Sequence, residues 1–250
     1  MAGRSTLAKS AEDPGSGGAN GARTRSTDTY WRLRQDILEC RLPPGARLRA
    51  EELCEMYGVG ISPLREALSR LSSEGLTVLK EHRGYQVAPV SREDLVDLTR
   101  TRIMIESAAL SASIANGDDE WESRVVAEFH RLSKTEAFVA GSRILGSEWE
   151  LRHSTFHRTL LEACGSPWLL SLRDMLYAHG DRYRRLSVQV QAPVKPRAAN
   201  VEHREIFEAV IARDAGRACL LLAQHIQRTT DALLENGSGL FDEAAATGPT

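Results

Sequence analysis

LRAEELCEMYGVGISPLREALSRLSSEGL, residues 48–76, places apolar side chains at Leu53 and Met56, then at Leu64, Ala67, Leu68 and Leu71. These are two blocks of helical spacing. Gly58-Val59-Gly60 between them is too short for a loop and suits a sharp turn. Ser62 is placed to accept a hydrogen bond from a free amide of the second helix, and Pro63 suits that helix's first position. Two short helices joined at a tight glycine turn are the sequence form of a helix-turn-helix. The β-prone runs Thr77-Val78-Leu79-Lys80 and Tyr85-Gln86-Val87 follow, flanking Glu81-His82-Arg83-Gly84 as a hairpin with a basic tip. A helix-turn-helix with a small hairpin behind it is a winged helix, a module that binds DNA.

Upstream, Tyr30 to Cys40 reads as a helix with Trp31, Ile37 and Leu38 apolar, ending before the turn Leu42-Pro43-Pro44-Gly45. Residues 1–27 are rich in Gly, Ala, Ser and Thr without periodicity and are expected to form a disordered tail. The DNA-binding domain is thus expected over 28–90. Downstream no segment alternates like a strand. Helices are expected at about 92–115, 119–139, 145–164, 167–188, 198–213 and 215–235, the first opened by the cap Ser91, with a flexible tail over 236–250. The fold class is therefore mainly α: an N-terminal winged helix-turn-helix followed by an all-α bundle over 91–235.

Composition bounds the function. The 250 residues have a formal net charge of −2, which excludes a protein coated in nucleic acid. Charge is slightly basic over the first 90 residues and acidic beyond, as suits a DNA-binding head on a body that does not touch DNA. No apolar run reaches a membrane span and no apolar leader opens the chain, so a cytoplasmic protein is expected. Cys40, Cys54, Cys164 and Cys219 are scattered and read as reduced thiols.

The first residues of the second helix of such a motif face base edges, and the rest track the backbone. Arg65 is placed to meet a guanine or a phosphate, and Arg70 a phosphate. Ser62 with the helix's first amides suits another phosphate, and His82 and Arg83 a minor groove. LPPGARL, then LCEMYGVGISPLREALSRLSSEGL and GYQV, resembles the amino-terminal domain of the GntR family of bacterial transcription regulators over about residues 30–90. One position departs: the family's S-R-T-P run is here Gly60-Ile61-Ser62-Pro63, so Ile61 stands where the family has a base-reading arginine.

His153 and His157 are four apart on a face shared with Leu160 and Leu161. His203 lies on the face of Ile206, Phe207 and Val210, and His225 on that of Leu221 and Leu222. Spacing alone leaves two readings open, satisfied core histidines or ligands of one divalent cation. The carboxy-terminal region resembles the FCD effector domain of the FadR-type branch, an all-helical bundle. In many members it holds a metal through one aspartate and three histidines. Phe156-His157, Glu202-His203 and His225 match that pattern, while His153 stands in the aspartate's place. The resemblance implies a metal held by His153, His157, His203 and His225: zinc, with nickel or another transition metal as alternatives. Four imidazoles add no negative charge, which favours an anionic ligand.

Arg102 and Glu106 match a family R-x-x-x-E element. Arg102 reads either as a carboxylate clamp or as half of an i,i+4 salt bridge. His179 and Tyr183, on the face of Trp168, Leu172, Met175, Leu176 and Leu186, read either as further effector-binding residues or as core. The sequence thus implies a homodimeric, ligand-responsive transcription repressor that binds operator DNA and a small carboxylate. The alternative is a metal-dependent enzyme with a winged-helix appendage. No paired carboxylates or nucleophile–base constellation stand beside the histidines to favour it.

Overall fold

The structure is a computed structural model that describes residues 17–138, 146–189, 199–236 and 241. The described residues divide into two compact units, one reaching to Asp36 and resuming over Arg47–Gln86, the other comprising Ile37–Ala46 and the chain from Val87.

In the first unit, helix α1 (Gly17–Leu38) precedes strand β1 (Arg47–Leu48), helices α2 (Ala50–Tyr57) and α3 (Ile61–Ser73), and strands β2 (Thr77–Lys80) and β3 (Gly84–Val87). The strands form one sheet in the order β1-β3-β2, with Arg47 opposite Gln86 and Leu48 opposite Tyr85. The hairpin falls where the sequence puts it. Strand β1, two residues long, is too short for any periodicity to announce.

The turn between α2 and α3 rests on Gly58, whose φ of 66° lies in the left-handed region that favours glycine. Leu53, Tyr57, Leu64, Ala67, Leu68 and Leu71 are buried, whereas Met56 is exposed. Helix α3 starts two residues earlier than its sequence signals. Gly60 is the cap residue, no side chain bonds a free amide, and Pro63 sits at the third helical position. Proline is tolerated there because the first turn's N–H groups have no intrahelical acceptor.

Helix α1 begins well before Tyr30, so residues 17–27 belong to a helix and not to a tail; residues 1–16 lie outside the described residues. Its inward face is Ser26, Thr29, Tyr30 and Leu33, all buried, while Trp31 is exposed. Two of those four are small and polar, so a search for apolar spacing passes over them. The Tyr30 hydroxyl donates to Glu74, which also pairs with Arg34 at 2.9 Å, and Tyr57 donates to Asp36.

The second unit is helical: α4 (Arg92–Asn116), α5 (Asp119–Lys134), α6 (Ser147–Thr159), a 3-10 turn (Glu162–Cys164), α7 (Pro167–Gln189), α8 (Ala199–Ile211) and α9 (Ala215–Asn236). Ser91 Oγ accepts from Asp94 N at 3.0 Å and Asp118 Oδ1 from Trp121 N at 2.8 Å, each closing a free amide of a first turn. Helix α4 packs against α7 and α9. The main core gathers Leu110, Ile114, Trp121, Val125, Phe156, Leu160, Ile206, Val210, Leu222 and Ile226. A smaller core holds Cys40, Val90, Leu95, Tyr183, Leu186 and Leu233, with Phe241 packed against it. The rest of the expected C-terminal tail, 237–240 and 242–250, lies outside the described residues.

Candidate functional site

Helix α6 carries His153 and His157 one turn apart, α8 carries His203 and α9 carries His225, and all four are buried. Apolar positions on each helix fix which face turns inward, and the histidines lie on those faces. Each offers a ring nitrogen, and these nitrogens lie within 4.8 Å of one another. Ring centroids are 4.5 Å apart for His153 and His157, 4.7 Å for His203 and His225, and 5.0 Å for His157 and His225. Trp149 stacks on His153 at 4.7 Å.

Burial holds the His153 and His157 imidazoles well below the ordinary histidine range. The neighbouring imidazoles push the same way, as do Arg184 on His153 and Arg173 and Arg102 on His157. Neutral imidazole keeps a lone pair on one nitrogen, the form that binds a metal. His157 Nε2 is fully buried without a hydrogen-bond partner. Such an atom is costly in a packed core and is satisfied at once by a cation. The donor set therefore fits a divalent metal: four buried imidazoles from three helices, His153 and His157 held neutral by burial and His157 with an orphaned nitrogen.

Around the histidines lies a cationic shell. Tyr177 Oη is 3.1 Å from His153 Nδ1, and the guanidiniums of Arg173 and Arg102 lie 4.2 and 5.3 Å from the Tyr177 ring. Arg102 donates from Nε and Nη2 to the buried Glu106 at 3.0 and 2.9 Å, so the i,i+4 pairing read from the sequence is present. Arg173 is 2% exposed, and its Nε and Nη2 have no partner. Gly180 explains how Arg102 fits: a Cβ there would come within 2.9 Å of Arg102 Nη1.

Sequence reasoning missed Arg173, Tyr177 and Arg184. With Gly180 they fall at i, i+4, i+7 and i+11, one face of α7. Helix α7 was phased instead on its apolar residues, of which Trp168 and Leu172 are exposed. Of the two candidates on α7, Tyr183 takes the core reading. Tyr183 belongs to the smaller core, where its hydroxyl donates to Asp94 at 2.5 Å and accepts from Ser91 N at 3.2 Å. It does not line the histidine site. His179 is half-buried and stands outside the four-histidine cluster.

In the winged helix, Ser62 and Arg65 are exposed on the first turns of α3 beside Ile61, which is 46% exposed. His82 and Arg83 are exposed at the hairpin tip, His82 with a φ of 57°. Arg70 is exposed as well, but its guanidinium lies 3.9 Å over the Tyr30 ring, tying α3 to α1. No helix among the described residues is long and apolar enough to cross a membrane.

A winged helix with an exposed second helix, followed by a separate helical unit, is the architecture of a DNA-binding transcription regulator. The chain belongs to the gntR family of bacterial regulatory proteins: that family's model matches residues 25–87 and the FCD domain's matches 97–228. It is 39% identical over 210 residues to BphR of Paraburkholderia xenovorans, an HTH-type transcriptional regulator, covering 84% of this chain and 85% of that one. It is 38% identical over 203 residues to the HTH-type transcriptional repressor GlaR of Escherichia coli, covering 80% and 92%. Among solved structures, Escherichia coli McbR/YncC shares the fold with a TM-score of 0.68 at 20% identity, over 84% of this chain and 97% of that one. A GntR regulator from Rhodococcus sp. RHA1 gives 0.67 at 22% identity, over 85% and 98%. The chain is a transcription regulator and not an enzyme.

Proposed function

We propose that this regulator is a cytoplasmic repressor whose helical domain binds a small organic acid at a divalent metal, zinc first, held by His153, His157, His203 and His225. The observation that carries the reading is the buried His157 Nε2, without a partner among three other imidazoles. The metal would supply a Lewis-acidic centre for an anion. Four neutral ligands leave its charge uncompensated, and an unpaired charge in an apolar bundle is costly. An anionic effector relieves that cost. Arg173 donates from Nη1 to Asp174 at 3.1 Å and keeps two buried nitrogens, Nε and Nη2, for a carboxylate, whereas Arg102 gives Nε and Nη2 to Glu106. Repression follows the reading of GlaR as a repressor.

Operator contact is proposed through Ser62, Arg65, His82 and Arg83, with Arg70 supporting from behind. One winged helix makes few base contacts, so paired half-sites call for a two-fold dimer. The helical domain is proposed to form it; exposed Trp168 and Leu172, one turn apart on α7, give it an apolar surface. Effector binding would then re-set the spacing of the two DNA heads. The test combines metal analysis of the purified protein, a thermal-shift screen of the zinc-loaded form against small carboxylates, and operator release by any carboxylate that raises the melting point. Protein without stoichiometric metal, or a stabilising acid that leaves DNA binding unchanged, would contradict the reading.

A further inference from the structure

Among the described residues the four-histidine cluster includes no acid that would neutralise a cation, yet a carboxylate stands one hydrogen bond away. Glu202, the residue before His203 on α8, is 9% exposed. Its Oε2 lies 2.9 Å from His225 Nδ1 and its Oε1 lies 3.4 Å from Arg228 Nη1. His225 and Arg228 are one turn apart on α9, so a single carboxylate spans both.

We infer that Glu202 is a positioning residue for the metal: it fixes the tautomer of His225 and returns to the site, from outside the ligand set, the negative charge that four imidazoles lack. The inference rests on the metal reading above and adds a residue to it. An ionised carboxylate only accepts, so the proton shared with His225 is carried by Nδ1. That leaves the His225 lone pair on Nε2, the nitrogen on the far side of the ring from Glu202. A carboxylate bonded to the second nitrogen of a ligating imidazole orients the ring and raises its basicity.

His153 offers a contrast. Its Nδ1 faces the Tyr177 hydroxyl at 3.1 Å, which both donates and accepts and so dictates no tautomer. The ion pair with Arg228 does not account for the arrangement either. Arg228's side chain is 51% exposed, and a carboxylate serving it alone would turn out toward water with it. Instead Glu202 keeps one oxygen inward against His225. In an aspartate-plus-three-histidine site the acid touches the metal. Here its charge reaches the metal through an imidazole, and the coordination positions stay with neutral ligands and an incoming anion.

The experiment uses the full chain and zinc alone. Chelator competition measures zinc affinity of the wild type and of Glu202→Gln, which keeps size and an acceptor but loses the charge. Nitrogen-15 NMR of the zinc-loaded wild type, with labelled histidine, reads which nitrogen of His225 is protonated. Expected are a 10–100-fold loss of zinc affinity in the variant, the range for removing such a partner, and a proton on Nδ1 with zinc on Nε2. A wild type that takes up no zinc overturns the metal reading and this inference together. Zinc binding by a folded variant within about threefold of wild type, or zinc on His225 Nδ1, overturns the inference alone. Should Glu202→Gln not fold, as judged by circular dichroism, the NMR arm on the wild type decides.

Discussion

The winged helix and the histidine site display function in opposite ways. In the winged helix the candidate residues are exposed: Ser62, Arg65, His82 and Arg83 lie at the surface, where water reaches them. Their role follows from position in a motif, not from any local strain. In the helical unit the candidates are buried, and burial makes demands. An imidazole nitrogen without a partner and a guanidinium with two idle N–H groups are costly in a core. An exposed site is recognised by where it stands, a buried one by what it leaves unsatisfied. Substitutions should therefore separate the two regions, each altering one readout and leaving the other alone.

The largest separation is expected at His157. His157→Ala removes a ligand, and since loss of an outer partner already costs 10–100-fold, zinc affinity should fall by more than about a hundredfold. Operator binding by the metal-free variant should match that of metal-free wild type. Chelator competition and fluorescence anisotropy on the same preparations check both. A variant that keeps its zinc breaks the ligand assignment, and one that loses DNA binding breaks the separation.

Next comes pH. His153 and His157 have folded-state pKa values lowered by burial, so between the folded value and the unfolded one, about 6.5, the unfolded chain holds more protons. Stability of the metal-free protein is thus full above about 6.5 and is lost as pH falls through it, at up to about 1.4 kcal/mol per pH unit for each histidine. The charged groups facing the pair, Arg184, Arg173 and Arg102, sharpen the loss because imidazolium would be repelled. Denaturant midpoints of metal-free protein near pH 7.5 and 5.5 measure the effect, and zinc should suppress it until its ligands protonate. A flat profile would contradict the burial argument.

On the DNA side, Arg65→Ala should cost about 1–3 kcal/mol of affinity for an operator selected from random duplexes, at fixed salt, with zinc content unchanged. Arg70→Ala is the informative partner. Its guanidinium stacks on Tyr30, so it should also cost about 0.5–1 kcal/mol of folding stability, which Arg65→Ala should not. Equal behaviour of the two arginines in both assays would remove the distinction between a reading residue and a bracing one.

The sequence made the fold legible wherever turn chemistry or long apolar spacing marked it. Gly58 set the helix-turn-helix, and Ser91 opened α4. It failed where packing overrode composition: the buried face of α1 includes Ser26 and Thr29, which no hydrophobic period registers. The four histidines were legible because each sits on an apolar face. The arginine and tyrosine shell was not, because α7 was phased on exposed Trp168 and Leu172. Its polar face includes Gly180, where a Cβ would come within 2.9 Å of Arg102 Nη1, a tertiary contact that no period along α7 encodes.

The smallest effect compares two serines. Sequence signals mark both Ser62 and Ser91 as helix caps, but only Ser91 accepts from an amide, that of Asp94 at 3.0 Å; α3 is capped by Gly60 without a side-chain bond. Ser91→Ala should therefore cost about 1 kcal/mol of stability, the usual loss for a cap serine, and leave operator affinity alone. Ser62 is exposed within the first turn of α3, so alanine there removes nothing the folded chain uses. What it would remove is a hydroxyl beside the free amides of a helix N-terminus, where a phosphate is favoured. Ser62→Ala should leave the denaturation midpoint unchanged and weaken binding to all DNA sequences alike by a few tenths to about 1 kcal/mol, the scale of one neutral hydrogen bond. Denaturant titration and anisotropy on the two variants give four numbers. If Ser62→Ala destabilises the fold as Ser91→Ala does, the serine is a cap after all, and α3 begins where its sequence signals put it.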